Sequence, residues 1–183
     1  MNTSAKKTSE NKVNCQFCDW PNAISLKALE RVQVRCARCK LQLSTEKHQQ
    51  FRHLDPAVYM HPEDIEALKH LKQMPGAYNV IKKMAPLAGQ LFGETYFASN
   101  GLRVSEKQYP DLYAKLQGAC KTLGITTQPK LYLSFVDLFG EIGMQSYSGG
   151  TSIHPFIVLS PRLLEELDEM DVLSALAHEL GHI

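Results

Sequence analysis

His178 and His182 stand four residues apart in a segment whose apolar residues recur at helical spacing, and that register constrains the fold more than any other feature. On a helix, residues four apart lie on one face, one turn from each other. Leu173, Leu176, Ala177, Leu180 and Ile183 form an apolar stripe that can bury such a helix, while Asp171, Ser174 and Ala175 lead to the two histidines on a second stripe, expected to face a cleft. Asp168 is placed to cap the helix, which is expected to run from about Glu169 to the end of the chain.

Two imidazoles on one helical face suit a single Zn2+ ion. In His178-Glu179-Leu180-Gly181-His182, Glu179 lies beside the first candidate ligand. A carboxylate there can take a proton from water activated by the ion, which is the chemistry of peptide hydrolysis. The expected roles are His178 and His182 as ligands of a catalytic zinc and Glu179 as general base. A catalytic zinc takes three protein ligands, and two are visible. His154, Asp137 and Glu141 are the upstream candidates for the third. A helix that stops on apolar Ile183, directly after His182, reads as cut, so the third ligand is expected in sequence beyond it.

The second strong pattern is Cys15-x-x-Cys18 and Cys36-x-x-Cys39, with seventeen residues between the pairs. A two-residue gap lets both thiolates of a pair meet one ion, and two pairs close a tetrahedral site with no open position. Such a zinc is structural, because about thirty residues cannot fold on an apolar core alone. Asp19 and Lys40 stand where knuckles of this kind often carry Gly. The alternating Val32–Val34 and Leu41–Leu43 are expected as small strands. Cys120 falls on an apolar helical stripe and is expected as a buried core thiol, and His48, His53, His61 and His70 as surface residues.

Charge divides the chain. Residues 1–48 hold nine Lys and Arg against four Asp and Glu; the remainder holds eleven against fifteen. The expected organisation is a disordered tail over 1–12, a zinc-ribbon module over 13–47 and a larger domain over 48–183. The net charge of +1 argues against a strong global attraction to nucleic acid. The basic ribbon, with Trp20 and Phe17 as possible base-stacking rings, keeps that partner as a minor alternative to a protein contact. No apolar run is long enough to span a bilayer, and the Lys-rich N-terminus lacks the apolar stretch of a secretory signal. A cytoplasmic location is therefore expected, with membrane association only through further C-terminal sequence.

Within 48–183, helices are expected from His61-Pro62-Glu63-Asp64 to Pro75-Gly76, from Ala77 to Phe92, and from Tyr109-Pro110 to a cap at Gly124. The last of these carries Leu112, Leu116, Cys120 and Leu123 on one stripe. Strands follow at 131–136 and 156–159, with Gly149-Gly150 marking the turn region between them, then a short helix after Ser160-Pro161. Tyr132 and Phe135 are expected in the core.

From about Leu54 to Ile183 the chain resembles the HtpX-like zinc metallopeptidases, the gluzincin family that includes the CAAX prenyl endopeptidases. The resemblance rests on Pro155-Phe156-Ile157-Val158-Leu159-Ser160, on Leu163-Leu164-Glu165-Glu166-Leu167 and on Ala177-His178-Glu179-Leu180-Gly181-His182-Ile183. Tyr59–Asp64 and Leu102–Ser105 are similar to a soluble branch of the group. It implies an α+β fold, mostly helical with a small antiparallel sheet, preceded here by a small β zinc ribbon. It also implies a zinc endopeptidase acting on peptide or protein substrates, with a Glu on a later helix as third ligand, so that these 183 residues alone would be weakly active or inactive. Where the family often has an Asn-Ala-Phe-like segment, this chain has Met144-Gln145-Ser146-Tyr147-Ser148-Gly149-Gly150, and an edge strand there is expected to hold an extended peptide. The competing reading is a non-catalytic interaction protein, a ribbon on a peptidase-like scaffold.

Overall fold

The protein is described by a computed structural model covering residues 12–29, 32–46, 49–51, 55, 60–88, 93–136, 143, 145–151 and 153–183. Residues 1–11, which make up nearly all of the expected tail, lie outside this set. Lys12 does not belong to a tail: β1 (Lys12–Asn14) pairs antiparallel with β2 (Pro21–Ala23), Val13 opposite Asn22. A short helix, α1 (Leu26–Leu29), follows. The two strands expected in this region reduce to an Arg35–Gln42 bridge, flanked by bonds from Leu43 N to Val34 O and from Cys36 N to Leu41 O.

Several helix ends coincide with a capping residue. α2 (Pro62–Gln73) has Pro at its first position, and the His61 ring accepts from Glu63 N. α3 (Ala77–Ala88) and α4 (Thr95–Asn100) follow, then β3 (Leu102–Arg103). α5 (Pro110–Leu123) stops at Gly124, which takes the left-handed conformation and bonds back to Cys120 O and Lys121 O. After β4 (Lys130–Leu133), β5 (Ser146–Gly150) and β6 (Pro155–Leu159), Ser160 caps α6 (Pro161–Glu166). Asp168 caps α7 (Glu169–Gly181) by accepting from Met170 N and Asp171 N. The fold is thus α+β. Among the described residues no helix is long and apolar enough to cross a membrane.

The second sheet runs β3-β4-β6-β5 and is mixed. Its two outer pairings are antiparallel, as expected, but the central pair is parallel, with Leu131 opposite Ile157. The parallel centre goes with complete burial: every residue of β6 is buried, so its sequence reads as an unbroken apolar run without alternation. Period-two geometry then divides the core. Leu131, Leu133, Ile157 and Leu159 join the cluster that includes α5 and α7, whereas Tyr132, Phe156 and Val158 pack on Phe97 of α4. Gly149 and Gly150 belong to β5 and not to the turn, which lies at Thr151–His154. A Cβ on Gly149 would come within 2.8 Å of the Phe156 ring across the pair, so the ring occupies the space a side chain would need. Phe135, expected inside, is 61% exposed, since it follows the end of β4.

α5 is buried on a wide arc, because it is covered from two sides. Leu112, Leu116, Cys120 and Ala119 share one cluster with Leu176 and Leu180 of α7 and with Cys15, Phe17, Cys36, Cys39, Leu41 and Leu43 of the N-terminal region. Polar ties hold both sides: Asp19 pairs with Lys121, Arg38 reaches Glu106 at 2.6 Å, and Lys115, only 2% exposed, reaches Glu169 at 2.6 Å.

On α5 the N-terminal region comes closest where Phe17 meets Gly118. A Cβ on Gly118 would stand 2.3 Å from the Phe17 ring. In an open helix Gly→Ala is favourable by roughly 0.5–1 kcal/mol, but here overpacking of about 1–3 kcal/mol outweighs it. Gly118→Ala is expected to lower the melting temperature, and Phe17→Leu to soften that loss when the two are combined. A melting temperature raised by Gly118→Ala contradicts the packing described.

Candidate metal sites

The two cysteine pairs form matching knuckles. Cys15 N donates to Trp20 O and Asp19 N to Cys15 O; Cys36 N donates to Leu41 O and Lys40 N to Cys36 O. Asp19 (φ 60°) and Lys40 (φ 62°) close them in the left-handed conformation that glycine usually supplies. The four Sγ atoms all lie within 4.8 Å of one another, with Cys15–Cys39 and Cys18–Cys36 both at 3.7 Å. Sulfurs about 2.3 Å from a tetrahedral ion stand about 3.8 Å apart, so the cluster fits one metal ion. The cysteines are free thiols, and three of the four are buried.

Proton distribution among the thiols points the same way. Hydrogen bonds from Cys18 and Cys39 hold the Cys15 thiol down at about 2, and the Cys15 sulfur in turn pushes Cys18 up to about 11 and Cys39 higher still. One sulfur gives up its proton readily, and its neighbours keep theirs unless a cation takes the protons' place. Asn22, which composition and spacing do not single out, braces the two knuckles. Its Oδ1 accepts from Ala37 N at 2.9 Å, and its Nδ2 donates to Trp20 O at 2.9 Å and lies 3.7 Å from Cys36 Sγ. Cys120 takes no part: burial pushes its thiol up to about 12, as suits an inert core residue.

The second site sits at the far end of α7. The Nε2 atoms of His178 and His182 are 3.2 Å apart, with the rings edge to face. Two nitrogens about 2.0–2.1 Å from a tetrahedral ion stand about 3.3 Å apart, so the pair also fits one ion. The helix buries Val172, Leu176, Glu179 and Leu180, a stripe turned from the one expected; Ile183 is exposed, and α7 ends at Gly181. The turn leaves both histidines exposed and brings Glu179, 4% exposed, under the sheet. There Ser146 Oγ, at the start of β5, donates to Glu179 Oε1 at 2.7 Å. Residues Ser146 to Thr151 and His178, Glu179, His182 and Ile183 enclose a cleft of about 530 Å³. Among the described residues β5 pairs with β6 alone and forms the edge of the sheet beside it.

Among the described residues, the four cysteines are the one group of three or more ligating side chains that converge. His154, in the exposed turn before β6, does not join the two histidines, and Asp137 and Glu141 lie outside the described residues. His61 and His70 are exposed, as expected; His48 and His53 lie outside the described residues. Phe17 is buried against α5, and Arg38 lies over the Trp20 ring at 4.7 Å.

Because the thiols share a core cluster with α5 and α7, metal loss at the cysteines should weaken the whole chain. Metal removal, or Cys36→Ser, is expected to lower stability by about 4 kcal/mol relative to free metal a thousandfold above Kd. The loss should appear in a single thermal transition alongside metal analysis. A separate early transition, or an unchanged one, contradicts the shared core.

No family model matches the chain, and no solved structure matches it. The chain is 30% identical over 136 residues to the Plastoglobule-localized metallopeptidase 48, chloroplastic, of Arabidopsis thaliana. The match takes in 73% of this chain and 37% of that protein, so the chain spans little more than a third of its relative's length. The similarity relates the chain to a metallopeptidase.

Proposed function

We propose that this chain carries the active-site helix of a zinc-dependent metalloendopeptidase of the HtpX-like, CAAX-prenyl-endopeptidase kind, with a structural zinc at Cys15, Cys18, Cys36 and Cys39. The observation that carries the reading is the approach of the two imidazole nitrogens to 3.2 Å beside a buried carboxylate at the floor of a cleft. A zinc held by His178 and His182 would supply Lewis acidity and acidify water at neutral pH. The resemblance assigns a third ligand to a Glu on a later helix.

The remaining work falls to side chains of this chain. Glu179 accepts the proton of the attacking water and delivers it to the leaving amine. Ser146 donates to Oε1 of that carboxylate, so Oε2 is the oxygen assigned to take the proton. The exposed edge of β5 offers main-chain donors and acceptors to an extended peptide, so the substrate class is a polypeptide in strand conformation. The relative's name, a metallopeptidase, agrees with this chemistry.

In a longer version of the protein that supplies the third ligand, Glu179→Gln is expected to lower cleavage of a quenched fluorescent peptide by about 10²–10⁴-fold, the usual span for a positioned general base, with zinc content unchanged. Hydrolysis that survives the substitution removes Glu179 from the mechanism. Zinc lost with the activity would instead assign the residue to metal binding.

A further inference from the structure

α2 and α3 form a hairpin that contributes no buried residue among those described. None of the α2 side chains is buried, and on α3 Val80 is 54% and Met84 60% exposed. Ile65, Leu68, Met74 and Ile81 are exposed as well. So many large aliphatic side chains in water on two adjacent helices signal a contact surface, not scattered exposure.

The arrangement around the helix axis gives the surface its character. At about 100° per residue, Val80, Ile81 and Met84 fall within one arc of α3, and Lys82 and Lys83 fall on its two flanks. On α2, Ile65 and Leu68 lie together, with Lys72 between them and Lys69 beside Ile65. Lys72 and Lys82 each lie 6.0 Å from the Tyr78 ring, one from either helix. The acidic residues of the hairpin, Glu63, Asp64 and Glu66, cluster in the first turns of α2. From Ala67 to Ala88 there are four lysines and no acidic residue.

We infer that this hairpin lies on an anionic lipid surface. An apolar arc flanked by lysines is the pattern of a helix that rests in a membrane interface: aliphatic groups enter the acyl boundary, and lysine stems bend back so that their ammonium groups reach the headgroups. Each such lysine contributes about 1 kcal/mol near an anionic leaflet. The twelve residues of α3 reach about 18 Å, far short of a hydrocarbon core of about 30 Å. The hairpin therefore lies along the surface and does not cross it. This surface is separate from the cleft at His178 and stands or falls independently of the peptidase reading.

The test is co-sedimentation of the whole chain with vesicles of phosphatidylcholine, alone or mixed with phosphatidylglycerol. Binding is expected to the anionic vesicles, to weaken with salt, and to fall about 30-fold or more in Lys82→Glu/Lys83→Glu. Val80→Ser/Ile81→Ser/Met84→Ser should weaken it as well, with helical content retained in both variants. Equal binding to both vesicle types, no binding by the folded protein, or indifference to both sets of substitutions overturns the proposal. It is also overturned if the chain is a dimer without vesicle affinity that the apolar variant splits into monomers, or if the hairpin captures an acidic protein but no vesicle.

Discussion

The buried strand β6 is the constraint from which the geometry of the cleft follows. Its residues are enclosed on both faces, and its register with β5 sets Ser146 opposite Leu159. That register brings the Ser146 hydroxyl to Glu179; a slip by one residue would turn every β5 side chain to the other face. At the other end of β6, Ser160 starts α6, and Asp168 then starts α7. Strand, caps and helix thus form one continuous positioning device, in which an apolar run fixes where two histidines and a carboxylate stand.

α5 links that device to the cysteine cluster. It packs Phe17 in the space left by Gly118 on one side and places Lys115 on Glu169, in the first turn of α7, on the other. Lys115 is buried with Glu169 as its ion-pair partner, and removal of that partner would leave a desolvated polar group uncompensated. The two candidate metal sites therefore share a scaffold although no ligand is common to them. An ion held at the cysteines would stabilise the surroundings of the helix that carries His178 and His182.

Legibility in the sequence followed the range of the interaction. Helix ends at Pro62, Gly124, Ser160 and Asp168 were readable because a cap bonds to backbone within a few residues. The Cys-x-x-Cys pairs and the His178–His182 spacing were readable for the same reason, since local geometry brings each pair together. The parallel pairing of β4 with β6 was not, because it joins segments separated in sequence by β5. Nor were Asn22, Lys115 and Ser146, whose importance comes from partners that are distant in sequence. Phe135 misled because its type suits a core, while its place just past a strand end puts it in water. On α7 the stripe was misjudged by a part-turn: Val172 and Glu179 are buried and Ile183 is not, because the sheet and α5 select the covered face.

The central claim is that His178 and His182 grip one metal ion, and X-ray absorption at the zinc edge tests it most directly. Protein equilibrated with zinc and then freed of loosely held metal should show sulfur neighbours at about 2.3 Å and nitrogen neighbours at about 2.0–2.1 Å. Cys36→Ser should diminish the sulfur shell and leave the nitrogen shell in place, while His178→Ala should do the reverse. A spectrum with sulfur neighbours alone, unchanged by His178→Ala, would contradict the account.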